Sequence, residues 1–120
     1  MKDLGSTFIF LSTILRKHSA GLSIKIDEPE HLYVEVPALA PSAKPSFFGA
    51  VQTKKSYVSY HLMPLYEDPV LLNGVSAGLL ARMQGKSCFN FTAADPVLFQ
   101  ELDALSNKCA AATKQLKART

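Results

Sequence analysis

The chain has 120 residues, of which 48% are hydrophobic and 19% charged, and a formal net charge of +3. That length suits one domain burying about two thirds of its unfolded surface, so no disulfide or metal staple is needed, and the apolar fraction excludes a disordered chain. The mild charge is spread along the sequence, with Asp27, Glu28, Glu30 and Glu35 among the basic residues, which speaks against a nucleic-acid domain built on one basic face.

Leu4, Phe8, Leu11, Leu15 and His18 recur at helical spacing, with Ile14 beside them. They predict an amphipathic helix ending near Ala20-Gly21, where Gly can take a left-handed cap. Leu22, Ile24 and Ile26 alternate with polar residues, as do Leu32, Val34 and Val36. These runs predict a hairpin with Asp27-Glu28-Pro29-Glu30 as its loop. Pro37, Pro41 and Pro45 mark residues 37–46 as an exposed, stiff connection. Residues 47–53 and 57–62 predict two further strands joined at Lys54-Lys55. Pro64 has no amide to donate and ends the ladder.

Asp68-Pro69 and Asp95-Pro96 have the form of helix starts, with a capping acid before a proline. Asn73-Gly74 breaks the first of these. Ser76 restarts a helix through Leu79, Leu80 and Met83, and Gly85 is read as its cap. Residues 87–91 read as a strand. Phe99, Leu102, Leu105, Cys109, Ala112 and Leu116 form the apolar stripe of a last helix over 97–116. Its basic end, with Lys108, Lys114, Lys117 and Arg119, complements the helix dipole. The expected fold is α+β, a single domain over residues 1–120, with a mainly antiparallel sheet of about five strands and helices packed on one face.

The runs Phe48-Gly49-Ala50-Val51, Lys55-Ser56-Tyr57-Val58-Ser59-Tyr60-His61-Leu62-Met63-Pro64 and Arg82-Met83-Gln84-Gly85-Lys86-Ser87-Cys88-Phe89-Asn90-Phe91 resemble the YdhG-like domain family. That family comprises small bacterial proteins largely of unknown function. The resemblance is closest over residues 47–105 and implies a compact α+β fold in a bacterial cytosol. It brings no catalytic residues with it. Some members have been likened to frataxin, whose iron handling rests on an acidic ridge along the first helix and strand. The first helix here offers only Asp3.

The chemistry-bearing residues weigh as follows. Alternation places Tyr57, Ser59 and His61 on one face of a strand and Val58, Tyr60 and Leu62 on the other, the expected core face. Ser59 and His61 stand roughly 6.5 Å apart along the strand, long for a nucleophile–base pair. Gly85-Lys86-Ser87 has the ending of a P-loop, but position 80 is Leu80 and the order is helix to strand, the reverse of what that motif needs. Arg82 and Lys86 are read as an anion-friendly corner. His18, His31 and His61 show no metal-ligand spacing, so no metal or cofactor is expected. Tyr33, Tyr57, Tyr60 and Tyr66 crowd the sheet region, and their expected role is packing with hydroxyls in water. Cys88 and Cys109 have no Cys-x-x-Cys spacing and are expected to be free, at buried or half-buried places. Residues 8–15 are apolar but too short to cross a bilayer, and they lack signal-peptide flanks.

The sequence therefore reads as a cytoplasmic, non-enzymatic binding module. The expected partner is a small anionic or aromatic ligand, or a protein, held by Tyr57, His61, Tyr66, Arg82 and Lys86. Nucleic acid and membrane are not expected partners. A small enzyme or an iron-handling protein using His61 is one alternative. A self-associating protein, a homodimer formed through its sheet, is the other.

Overall fold

A computed structural model describes residues 3–38 and 44–119, and the side chains of the last helix as far as Thr113. Helix α1 (Leu4–Lys17) begins where the Asp3 carboxylate accepts from the Ser6 amide at 3.0 Å and the Ser6 hydroxyl at 2.6 Å. That bond occupies a first-turn amide with no partner inside the helix. The helix stops at Lys17, short of the expected end. The amides of His18 and Ser19 fold back to Leu15 and Arg16, and the Ser19 hydroxyl takes the Leu15 carbonyl at 2.6 Å, so the last turn tightens early.

Four strands follow: β1 (Ser23–Glu28), β2 (His31–Val36), β3 (Ser46–Thr53) and β4 (Val58–Leu62). The first hairpin is tighter than expected, because Asp27 and Glu28 pair with Leu32 and His31 and only Pro29-Glu30 remain as the turn. The proline-rich connection expected over 37–46 lies partly outside the described residues. β4 runs directly into α2 (Met63–Glu67), with Pro64 in the first turn, where its missing amide costs nothing. A 3-10 turn (Pro69–Leu72) and α3 (Ala77–Leu80) come next. Asp68 makes no side-chain cap bond, whereas Ser76 accepts from the Leu79 amide at 3.2 Å.

The helix expected through Met83 ends at Leu80. Met83–Gln84 form a short strand, β5, hairpinned to β6 (Cys88–Phe91). Gly85 is thus a hairpin-turn glycine with a φ of 77°, not a helix cap. The sheet gains a sixth strand, in the order β1-β2-β3-β4-β6-β5, every pair antiparallel. α4 (Pro96–Arg119) closes the chain, its start held by the Asp95 carboxylate accepting from the Leu98 amide at 3.1 Å.

The long helices share one face of this sheet. Phe8, Leu11, Ile14 and Leu15 of α1 and Phe99, Leu102, Leu105 and Cys109 of α4 bury Leu32, Val34, Val51, Val58, Leu62 and Phe89 beneath them. Tyr60 lies within this core, and its hydroxyl meets Ser106 at 2.7 Å, where water was expected. Ser106 in turn donates to the Leu102 carbonyl at 2.8 Å. Burial pushes the Tyr60 phenol well above its ordinary range. Beyond the core, α1 and α4 meet at His18, whose Nε2 lies 2.6 Å from Asp103, while Lys17 reaches the other carboxylate oxygen at 3.1 Å. Partial burial pulls Asp103 upward, but the bonds from His18 and Lys17 together hold it below its usual value.

The last-helix stripe carries a direct test. Leu102 is fully buried, so Leu102→Ala should cost about 2–5 kcal/mol in a urea melt, the usual range for truncating a core leucine. Exposed Gln100→Ala should stay within about 0.5 kcal/mol. Equal effects would mean that the stripe is not the core face.

Candidate functional site

Strand alternation leaves the other face of the sheet to a second set of side chains. Ala50 pairs with His61, His61 with Cys88, Gln52 with Ser59, and Ser59 with Asn90. These face away from Val58, Tyr60 and Leu62, which are fully buried under the helices. His61, Cys88, Gln52 and Asn90 are half-buried, and Ser59 is nearly covered by its neighbours.

A row of rings crosses this open face. His31 meets Tyr33 edge-on at 6.2 Å, Tyr33 stacks on Phe47 at 4.8 Å, and Phe47 meets His61 edge-on at 4.8 Å. The row exists because β3 is bulged. Val34 pairs with Gly49 and Glu35 with Phe47, so Phe48 is an extra residue. The inserted residue shifts the pleat by one. Phe47 would otherwise share the buried face with Val51, four residues further on. The bulge sends it to the open face and leaves Phe48 and Gly49 toward the helices.

Gly49 is forced by close approach. A Cβ there would sit 2.7 Å from the His61 carbonyl oxygen and 3.3 Å from a Leu15 methyl. Leu15 thus presses on the sheet directly behind His61. On the open side, the His61 Nε2 lies 2.6 Å from the Ser87 hydroxyl. Ser87 is in the turn before β6, and its carbonyl accepts from the Leu62 amide at 2.9 Å, so the ladder itself holds the serine beside the ring. Burial lowers the pKa of His61, which favours the neutral imidazole. Burial likewise raises the Cys88 thiol, with partial relief from the charge of Lys54.

Of the five residues expected at the site, His61, Lys86 and Tyr66 are linked in sequence through Ser87. Ser87, bonded to His61, follows Lys86, and the Lys86 ammonium lies over the Tyr66 ring, 5.7 Å from its centroid. Tyr66 is 56% exposed on α2, which continues from β4. Tyr57 lies just before β4, four residues from His61 and about 13 Å away by strand rise. Arg82 is exposed just before β5, where its carbonyl accepts from the Asn90 amide at 2.8 Å, further along the hairpin from Lys86. Phe47, Tyr33, Ser87 and Cys88 belong to the arrangement but were not expected there. Alternation alone assigns Phe47 to the core, and the Ser87–His61 bond joins residues 26 apart in sequence. Of the other histidines, His31 joins the row, while His18 lies between α1 and α4.

Among the described residues, no three His, Cys, Asp or Glu side chains come together to hold a metal ion, and no helix is long and apolar enough to cross a membrane. Comparison of the chain with protein-family models, with curated proteins and with solved structures finds no match.

The lowered pKa of His61 has a pH consequence. Above the unfolded value of 6.5 the ring is neutral in both states, and its full contribution is present. As pH falls below that value the unfolded chain takes up the proton first, and stability is lost. The melting temperature should therefore fall between about pH 7 and about pH 5, and His61→Gln should fall less over the same window. Thermal melts of both proteins across that range would check it. Parallel curves would mean that His61 titrates alike folded and unfolded.

Proposed function

We propose that this chain is a non-enzymatic binding module. It takes a small planar anion on the open sheet face where β4 runs into α2. The observation that carries this reading is the ring row ending at His61, whose partner Ser87 follows a lysine already resting on an exposed tyrosine. Half-buried rings offer apolar area without closing the surface, and Phe47 and Tyr66 can each pack against a flat ligand. The Lys86 ammonium supplies the charge-assisted bond for a carboxylate or phosphate. Neutral His61, bonded to Ser87, adds a polar edge without a competing charge. Arg82 and Tyr57 extend the same surface, beyond the reach of one small ligand centred on His61. The reading includes kinship with the YdhG-like family, supported by the runs from His61 to Pro64 and from Gly85 to Phe89, and the bacterial cytosol that kinship implies.

A second reading rests on one bond. A neutral imidazole 2.6 Å from a hydroxyl is the pairing that activates a nucleophilic serine. Against it, Ser87 is only 6% exposed, and no carboxylate bonds His61 among the described residues. Labelling of Ser87 by a fluorophosphonate would favour this enzyme reading over the binding module.

Calorimetry with adenosine monophosphate and indole-3-acetate, against neutral adenosine, tests the first reading. The anions should bind and adenosine should not. Lys86→Ala and Tyr66→Ala should each weaken binding by about tenfold, the equivalent of one charge-assisted bond or one lost ring contact. Both side chains are exposed, so the melting temperature should hardly move. Absence of binding at millimolar anion, or unchanged affinity in Lys86→Ala, would refute the site.

A further inference from the structure

The outer surface of α1 has a pattern that the sheet face does not explain and the core explains only in part, where the Phe10 ring meets Phe99 at 5.0 Å. From Leu4 to Leu15 the sequence holds no charged residue, although one side of the helix faces solvent. Ile9 is 66% exposed and Phe10 45% exposed. With Ser6 and Thr13 they line a shallow groove of about 330 Å³. A solvent-facing helix side normally carries charge. Asp3 and Arg16, both exposed, bracket the strip at its two ends.

We propose that this strip is where two copies of the chain pair, their α1 helices running antiparallel about a two-fold axis between Ile9 and Phe10. The residue order is self-complementary about that point. Ser6 falls opposite Thr13 of the second copy, Ile9 opposite Phe10, and Asp3 opposite Arg16. Small meets small, large meets large, and acid meets base, as a two-fold contact requires of a single surface. The row 3, 6, 10, 13 also has the three-and-four spacing that lets antiparallel helices interlock. Arg16 already bonds Asp27, but its guanidinium has donors beyond those that Asp27 occupies. A foreign partner would need neither the size symmetry nor the charge reversal. A lipid surface would call for cations along the polar flank, and the strip from Leu4 to Leu15 has none.

A contact of four helical turns a side is small beside a stable interface of about 1,200–2,000 Å². The pairing should thus depend on concentration, monomeric near about 5 µM and dimeric near about 500 µM. Analytical ultracentrifugation of the full chain over that range is the first test. Ile9→Lys, a change at an exposed position, should stay monomeric throughout with an unchanged circular dichroism spectrum. The second test is crosslinking in a Cys88→Ser background. Ser6→Cys mixed with Thr13→Cys should form a disulfide under mild oxidation, and neither variant should do so alone. A wild-type monomer at every concentration overturns the proposal. So does an Ile9→Lys dimer, or a Ser6→Cys protein that links to itself, which would mean parallel helices or another surface.

Discussion

The bond between Tyr60 and Ser106 fixes the relation on which the rest of the structure depends. β4 is a central strand, and its alternation commits Val58, Tyr60 and Leu62 to one side. Tyr60 takes a hydroxyl into that side, where leaving it without a partner would cost about 1–3 kcal/mol. Ser106 meets it at 2.7 Å. That bond ties the rotation and register of α4 to the sheet, so a polar contact helps set where the apolar stripe of the helix lands. α1 then fills the remaining width of the same face. With both long helices committed there, Ser59 and His61 are left on the other side.

The character of that other side follows from the bulge at Phe48. One extra residue in β3 moves Phe47 across the sheet and sets it between Tyr33 and His61. Gly49, next along, has no side chain, so β3 can lie close to β4 behind His61 and Leu15 can press in from above. A methyl group there would strike the backbone of β4 itself, so an alanine would be felt at His61 before it was felt anywhere else. The proposed ligand surface and the proposed dimer surface also lie on opposite sides of the molecule. α1 packs on the covered face and turns Ile9 outward, so pairing through α1 leaves the ring row of both copies free.

Much of this architecture was legible in the sequence. Period-two alternation in four strands and the stripe from Phe99 to Cys109 were enough for an antiparallel sheet with helices on one face. The parting of Val58 and Leu62 from Tyr57 and His61 followed from the same alternation. Other features were not legible, for physical reasons. Met83 and Gln84 form a strand because β6 offers them an edge, and a two-residue strand has no period to detect. Phe47 reads as core because a bulge leaves no trace in alternation. The Tyr60 hydroxyl found a serine on a distant helix, which no local rule anticipates. At the site, the proline break after β4 was legible, and it leads into the short helix that carries Tyr66. The serine that holds His61 was visible only as part of a motif that belongs to another fold.

The central claim is that the face of His61, Phe47 and Tyr33 is open to solvent while the face of Tyr60 is sealed. Adding a soluble paramagnetic probe to the labelled protein, and following the aromatic ring signals by nuclear magnetic resonance, tests this without knowledge of any ligand. The account predicts strong attenuation at the rings of Tyr33, Phe47, His61 and Tyr66, and near-complete protection at Tyr60, Phe89 and Phe99. Equal protection of Phe47 and Tyr60 would contradict it, because the open face would then be covered.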